Sequence, residues 1–432
     1  MKIFVLVVFI LTYVGIVALP NKKPLISGIA AALCVGGCLI FGFTDITTIL
    51  DSVDFNVILM LVGIMITVAV FSDSLMPDYI ADKLMAKMPN AFSAVVLLSV
   101  LSGFISAFMD NVATVLMLAP IGLAVAQKTK ISPINVIICI AVSSNLQGAA
   151  TLVGDTTSIM LGGFAEMSFF DFFFLDGKFS IFWAVELGAV MTIPVIAIIF
   201  RKDRKRITLE REDITVKSYF PTILLLVNIA CLVATSFIPA EEKPAITNGL
   251  ICLAFAVFSL IFVAVKYKKE GIKKSIKEID YQTVLFLLFL FLLIGTVEIV
   301  GIIDDISLIF EKIGSGNVFL LYTVIVFGSV VFSAFIDNIP YVATMLPVIK
   351  ALTTLPSLSG VSPYLFYFGL LCGATLGGNL TPVGASANVV GIGILNKAGY
   401  KVRNSDFFKI GIPFTLVAVL SGYIFCWFVW GV

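Results

Sequence analysis

Histidine is absent from all 432 residues of this chain. Imidazole is the side chain that ordinarily titrates near neutral pH. Proton chemistry in that range therefore falls to a carboxyl group shifted upward by its surroundings, or to Cys or Lys. Charge is scarce as well: 13% of residues are Asp, Glu, Lys or Arg, and the formal net charge is +1. That balance gives no sign of nucleic-acid binding, which needs a basic excess. No G-x-x-x-x-G-K-[ST] loop occurs, so a P-loop nucleotide engine is excluded. Seven cysteines are spread mostly singly, without zinc-type spacing. Cys34 and Cys38 lie one helical turn apart and read as small packing residues rather than a soft-metal pair.

Apolar residues dominate instead, at 60% of the chain. A soluble protein of this length could not bury that much apolar surface. Many runs of roughly 20 residues are almost free of charge, the length that crosses ~30 Å of hydrocarbon as a helix. The strand alternation of an outer-membrane barrel is missing. The chain reads as an all-α polytopic membrane protein. Expected spans are 3–19, 25–42, 55–72, 132–163, 179–200, 221–239, 245–266, 282–300, 362–396 and 411–431. Met1–Pro20 has the basic start and apolar core of a signal peptide but a poor small-residue cleavage site, so it reads as a retained first span. Segments 91–127 and 317–352 are too long for one crossing and read as re-entrant hairpins. Amphipathic stretches 73–90 and 301–316 lead into them as surface helices. Trp427 and Trp430 fit an interfacial aromatic belt.

Basic residues set the orientation. With Asn21–Lys23 inside, 23 of the 28 Lys and Arg fall on inner segments, and the reverse placement would invert that ratio. Both termini are then extracytoplasmic, in the cell membrane. Each half has five spans plus a hairpin, and the odd number turns the second half over relative to the first. Such inverted repeats place binding sites near the bilayer midplane. Matched pairs support the repeat: Asp54-Phe55 with Asp280-Tyr281, the Met117–Pro120 run with Met345–Pro347, and Asp171-Phe172-Phe173 with Asp406-Phe407-Phe408. The basic stretch 201–220 separates the halves as a solvated linker.

The strongest repeat carries chemistry. Ser106-Ala107-Phe108-Met109-Asp110-Asn111 recurs 227 residues later as Ser333-Ala334-Phe335-Ile336-Asp337-Asn338. An Asp at membrane depth costs roughly 2.5–3.5 kcal/mol on insertion scales, so its presence needs a reason. At a hairpin tip Asp and Asn can cap the outgoing helix, and the tip also offers carboxylates to a cation or proton. Thr114 follows one turn later. Downstream, two polar Gly-rich breaks interrupt apolar spans, 143–158 and 373–388. The first offers Asn145, Thr151, Gly154, Asp155, Thr156, Thr157 and Ser158; the second offers Asn379, Thr381, Gly384, Ser386 and Asn388. Unwound backbone and hydroxyls can replace a hydration shell, and such backbone survives in a membrane only when buried or lining a cavity. Asp155 has no acidic counterpart, since Ala385 stands in its place. Glu298, near a span end, could snorkel to the interface. Glu186 is a lone acid within its span and receives no role.

These residues resemble the ion transporter superfamily, in the flavour of the ArsB/NhaD group: arsenite antiporters, NhaD-type sodium/proton antiporters and the melanosomal P protein, which carry a citrate transporter-like domain. The carriers of the resemblance are the two Asp-Asn tips, Ala-Thr-Leu-Val-Gly154-Asp155, and Gly-Gly-Asn379-Leu-Thr-Pro-Val-Gly384-Ala385-Ser386-Ala387-Asn388. They span nearly the whole chain. The resemblance implies a homodimer working by an elevator motion, with scaffold parts at 1–90 and 221–316 and transport parts at 91–200 and 317–432. The chain is also similar to the dicarboxylate/sodium symporters, whose tips carry Ser-Asn-Thr where Asp110-Asn111 and Asp337-Asn338 stand here. The first break departs from the Pro-Pro-Asn often seen there, with Thr156-Thr157-Ser158 in its place.

The expected function is secondary active transport of a small inorganic ion coupled to H⁺ or Na⁺, with no other cofactor and no enzymatic activity. Arsenite, antimonite or another anion, and Na⁺/H⁺ exchange, are the main choices, with Na⁺ expected at Asp110, Asn111, Asp337 and Asn338. A sodium-coupled dicarboxylate or citrate carrier is the alternative. An intramembrane aspartyl protease and a channel are more distant readings. Nothing in the chain identifies an accessory ATPase.

Overall fold

The computed structural model describes residues 1–204, 214–239, 242–314 and 316–431. The middle of the expected linker, 205–213, lies outside the described residues. The helices of the first half are α1 (Lys2–Ala18), α2 (Lys23–Ile40), α3 (Ile46–Asp51), α4 (Phe55–Asp73), α5 (Met76–Met85), α6 (Ala91–Ser106), α7 (Asn111–Thr129), α8 (Pro133–Gln147), α9 (Thr156–Phe164) and α10 (Ile181–Ile199). In the second they are α11 (Phe220–Thr235), α12 (Thr247–Lys277), α13 (Tyr281–Ile299), α14 (Ile302–Gly314), α15 (Val318–Ser333), α16 (Asn338–Thr353), α17 (Pro363–Leu371), α18 (Ser386–Lys397) and α19 (Asn404–Trp430). Nine of the described helices, α3, α4, α6 to α9, α13, α15 and α16, begin at a residue whose side chain caps the first turn. A small antiparallel ribbon pairs Phe174 with Phe179 and Leu175 with Lys178.

Seven described helices are long and apolar enough to cross a membrane: α2, α4, α7, α10, α12, α13 and α19. The protein is thus a mostly helical, multi-pass membrane protein. The ten expected crossings require α1, α11 and the two broken segments α8–α9 and α17–α18 to be counted too, and require α7 to be left out. At 19 residues, α7 is roughly 28 Å long, so as a hairpin arm it matches a crossing helix in reach. Both amphipathic stretches contain a helix, α5 and α14. In α12 the chain kinks at Lys268, which holds φ 56°.

Cap chemistry recurs between the halves. Asp54 accepts from the Val57 N–H at the start of α4, and Asp280 does the same for Thr283 at α13. Asn90 and Asn317 cap α6 and α15. Ser-Pro pairs open α8 and α17, with Pro at the first helical turn, where its missing N–H costs nothing. Each cap is worth about 0.5–2 kcal/mol, so these residues fix where helices start.

Tight packing is built on glycine. At Gly63 of α4, a Cβ would strike the Cys252 carbonyl of α12, its oxygen 2.6 Å away. Gly188 of α10 lies against the Ala418 backbone of α19, and Gly28 of α2 against the Phe289 ring of α13. Small residues allow such backbone approach where lipid removes the hydrophobic drive between helices. The belt expected of the two tryptophans is only partly realised. Trp430 is buried, stacks near Tyr364 and Phe368 and donates to the Phe179 carbonyl at 3.0 Å, so it closes an aromatic core instead of facing lipid. Its position on α19 opposite the ribbon explains the difference.

The backbone leaves α-helix in two places inside the fold. Residues 148–155 separate α8 from α9. Between α17 and α18 the chain passes through a π turn (Cys372–Leu376), a 3₁₀ turn (Gly378–Leu380) and an extended stretch. Each break is held against a hairpin tip. A Cβ on Gly154 would lie 2.9 Å from the carbonyl oxygens of Ser106 and Ala107. One on Gly384 would lie 2.8 Å from that of Ser333 and 3.1 Å from that of Ala334. Thr151 and Thr381 donate to the Ala107 and Ala334 carbonyls. Gly154→Ala and Gly384→Ala should each destabilise the purified protein by about 1–3 kcal/mol through overpacking. Gly393→Ala, where a Cβ meets nothing within 4 Å, should leave the thermal unfolding midpoint in detergent unchanged. Equal midpoints for all three variants would refute this account of the breaks.

Candidate ion-binding site

Asp155 sits where the two halves meet. As N-cap of α9 its Oδ1 accepts from the Thr156 N–H at 2.8 Å. Its Oδ2 accepts from Thr157 Oγ1 at 3.0 Å and from Asn338 Nδ2 at 3.3 Å, the latter reaching over from the second tip. Thr157 also meets Thr375 Oγ1 at 3.0 Å. Three donors leave part of the carboxylate's acceptor capacity free, and that part faces a cavity.

The cavity encloses about 650 Å³. Of the residues expected at the site, Asp110, Asn111, Gly154, Asp155, Thr156, Asn338 and Ser386 line it. Asp73, Asp78, Glu278, Asp280 and Thr283 join them, and sequence reasoning did not single these out for the site. Six carboxyl groups line this space and no Lys or Arg does among the described residues, while Lys274 behind the wall is paired with Asp73 and lies 3.9 Å from Glu278. Burial pushes the Asp78 and Glu278 carboxyls above the usual carboxylate range, with the Asp73 charge adding to the effect on Glu278. A second cavity, of about 850 Å³, carries Asp51, Asp54, Glu166, Asp171 and Glu298 together with Lys243 and Lys350. Glu298 thus faces that cavity. The two spaces touch opposite ends of the same pair of helices: α9 gives Thr156 and Ile159 to the first and Met160 to Phe164 to the second, while α16 gives Asn338 and Ile339 to the first and Ala343 to Lys350 to the second.

The two tips are not equivalent. Asp110 caps α7 through the Ala113 N–H at 3.0 Å and faces the smaller cavity. Asp337 caps α16 through the Ile339 N–H at 3.2 Å, but its other oxygen is ion-paired with Lys23 of α2. Asp337 does not line the cavity. Tyr13 of α1 adds a second tie, donating to the Pro340 carbonyl at 2.6 Å. Neither Lys23 nor Tyr13 stands out in the sequence, since nothing local marks a partner more than 300 residues away.

Other predicted residues build the frame. Asn111 Nδ2 donates to Asn145 Oδ1 at 3.1 Å, and Asn145 Nδ2 donates to the Thr375 carbonyl at 2.8 Å, linking the halves. Asn379 returns the link through the Val142 carbonyl at 2.8 Å. Thr114 bonds back to the Asp110 carbonyl, and Ser158 bonds to that of Gly148. Asn388 ties the carbonyls of Gly378 and Thr381 together. The Oδ1 atoms of Asn379 and Asn388 are buried without a partner, as free acceptors in the second break.

Breaking the Lys23–Asp337 pair on one side only should cost stability, because a carboxylate 13% exposed is left without its cation. Lys23→Gln should lose about 1–3 kcal/mol, and Lys23→Gln with Asp337→Asn should regain more than half of it. Thermal unfolding of the three proteins measures this, and a double variant no more stable than Lys23→Gln would contradict it.

Residues 4–373 match the family described as citrate transporter, CitMHS. A 46 kDa membrane protein of Mycobacterium leprae is 29% identical, over 99% of this chain and 98% of its own length. The P protein of Sus scrofa is 24% identical over 97% of this chain, which spans 57% of it. Among solved structures, the Alcanivorax borkumensis YdaH transporter superposes with a TM-score of 0.62, covering 90% of this chain and 88% of its own, at 14% identity. Neisseria gonorrhoeae MtrF gives 0.58, covering 89% and 83%.

Proposed function

The chain belongs to the citrate transporter family, within the ArsB/NhaD-type ion transporters, and we propose that it is a secondary active transporter in which Asp155 binds the coupling cation, H⁺ or Na⁺. The observation that supports this most directly is the cavity lined by six carboxyl groups and no base, ending on a carboxylate held by both halves. With Lys274 paired to Asp73 the six carboxyl groups still leave the cleft net negative, and a cleft of one net sign concentrates ions of the other. Asp110 faces the same space and adds a second negative group.

In this reading Asp155 trades a proton for Na⁺. The Asn338, Thr156 and Thr157 donors hold the anion ready, and hydroxyl and carbonyl oxygens of the broken helix replace water around the ion. Asn379 and Asn388 offer their free amide oxygens to a second cation in the other break. Asp337, paired with Lys23, serves as a structural cap. Positive-inside counting puts the six-carboxyl cavity on the cytoplasmic side, with both termini outside and the cell membrane as location. Alternating access follows an inverted repeat: the parts 91–200 and 317–432 carry the site against the scaffold parts in an elevator motion, in a homodimer.

A second reading is carriage of a citrate-like carboxylate. The observation favouring it is the N-terminus of α18, which Ala385 leaves without a side-chain cap while Ser386 faces the cavity. Helix N-termini suit anions. A tricarboxylate would enter a space of its own sign, so it would have to be accompanied by cations.

Purified protein in liposomes with a lumenal pH dye should respond to a jump in external Na⁺, and Asp155→Asn should abolish the response. Asp110→Asn should weaken it about tenfold or more, and Asp337→Asn should weaken it less than Asp110→Asn. A silent dye with folded, inserted protein would remove Na⁺/H⁺ exchange. Uptake of radiolabelled citrate, or of arsenite, would then identify the cargo.

A further inference from the structure

Glu186 is a carboxyl group inside a span and lines neither of the two cavities. It is the sixth residue of α10, half-buried, on a helix whose Leu187, Val190 and Met191 are exposed toward lipid. Its partner is Gln147, the last residue of α8, whose Nε2 donates to Glu186 Oε2 at 3.3 Å. Gln147 is itself buried, and its Oε1 has no hydrogen-bond partner. Gln147 is also wedged in place: a Cβ on Gly103 of α6 would lie 2.9 Å from its Cδ.

Among the described residues no ion pair to Glu186 is formed. Against α10 lie α8, α6 and α19. Cys139, which is buried, is the one titratable side chain on α8, and its Ser144 and Asn145 are bonded to the Asn111 and Thr375 carbonyls. On α6, Ser99 and Ser102 are spent on the carbonyls of Val95 and Ile140, and the Ser106 hydroxyl is buried without a partner. Within its span α19 brings Tyr423, bonded to Thr323, and the buried Cys426; at its start Asp406 is paired with Arg403 and Lys409. An ionised Glu186 therefore has one long hydrogen bond and no counter-charge, while beside it an amide oxygen is left with nothing to accept. Both defects have one remedy. An unionised carboxyl can donate its O–H to Gln147 Oε1 while the amide, turned about its last torsion, donates Nε2–H to the other carboxyl oxygen. That closes a two-bond ring and satisfies every polar atom of the pair.

We propose that Glu186 is a proton-binding site, separate from the cation cavity, with Gln147 as its hydrogen-bond partner. A hydronium ion at the site gives up the proton: one of its O–H bonds breaks, one O–H bond to the Glu186 carboxyl forms, a water molecule leaves, and nothing is oxidised or reduced. The site is connected to the cavity by sequence. Gln147 is followed by Gly148, where α8 ends; a Cβ on Gly148 would lie 3.1 Å from the Asp155 Cβ, and the Gly148 carbonyl accepts from Ser158. Turning the Gln147 amide thus acts one residue from the peptide that packs against the ion-binding carboxylate. This link to flux rests on the transporter reading; the protonation itself does not.

Infrared difference spectroscopy of the purified full chain, titrated across neutral pH, reads the carbonyl stretch of a protonated carboxyl group directly. Wild type should show a band at neutral pH that Glu186→Gln lacks. Gln147→Leu should keep the band but move it, since the hydrogen bond is gone, and the milder Gln147→Asn serves if that variant fails to fold. Asp155→Asn should leave the band in place while abolishing the Na⁺ response in liposomes. The proposal is overturned if Glu186→Gln loses no band, or if the band ignores both changes at Gln147. Intact Na⁺ exchange beside a missing band would sink the Glu186 site alone, and a band present without any exchange would sink the sodium/proton reading alone.

Discussion

Backbone that leaves the helical ladder within a membrane must find hydrogen-bond partners inside the protein, because no lipid can supply them. Two stretches here do so, and most of the polar architecture serves them. Thr151 and Thr381 turn to the carbonyls of Ala107 and Ala334, which are left open where α6 and α15 end. Ser158 and Asn388 close the breaks on themselves through Gly148 and Gly378. Glycine at 154 and 384 lets two chains approach to distances that no side chain permits. The hairpin tips and the broken helices thus form one unit in each half. The acidic site is the residue of polar capacity that this mutual satisfaction leaves over.

Much of this was legible in the sequence because the membrane simplifies the code. Length and apolarity mark spans, and an Asp or a polar Gly-rich run inside one marks a departure from helix, whereas a lone Pro such as Pro194 does not. Asp110, Asp337 and Asp155 were identified on that ground, and each begins a helix where expected. The breaks at 148–155 and 377–385 fall inside the polar Gly-rich runs that announced them. Pairing was not legible. Lys23 reads as one of many inner basic residues, and only the fold brings it to Asp337. Asp280 reads only as half of a matched pair with Asp54 and nothing local marks Glu278, and only the fold turns them into the wall of a cavity. Trp430 had the composition of a belt residue and the position of a core residue. Local chemistry is written in the order of residues, and long-range partnership is not.

The recurrence of the tips conceals a division of labour. Both Asp-Asn pairs cap their outgoing helices, so capping explains their placement equally well. What separates them is the neighbour on the far side. Asp337 meets a lysine, and its charge is neutralised at a junction with α2, while Tyr13 of α1 grips the same tip through Pro340. Asp110 meets a cavity without bases. Asn338 then turns away from its own Asp toward Asp155, whose counterpart in the second half is Ala385. Negative charge is thereby gathered on one side of a pattern that the sequence writes twice.

That asymmetry bears on what separates the two cavities. The barrier between them is α9 with α16, and both helices begin at Asp155 and its partner Asn338. Loading or discharging Asp155 alters the hydrogen bond that joins the two starts, since Asn338 donates to a carboxylate more strongly than to a neutral acid. In the proposed function a cation or proton arriving there acts on a hydrogen bond shared by both walls of the barrier. The Lys23–Asp337 pair fastens the opposite side of the same tip to α2, so the tip is held between a permanent ion pair and a contact whose strength depends on the ligand. In the proposed transport cycle such an arrangement would give the ligand a differential interaction with two positions of the tip, which is the condition any coupling between binding and access must meet.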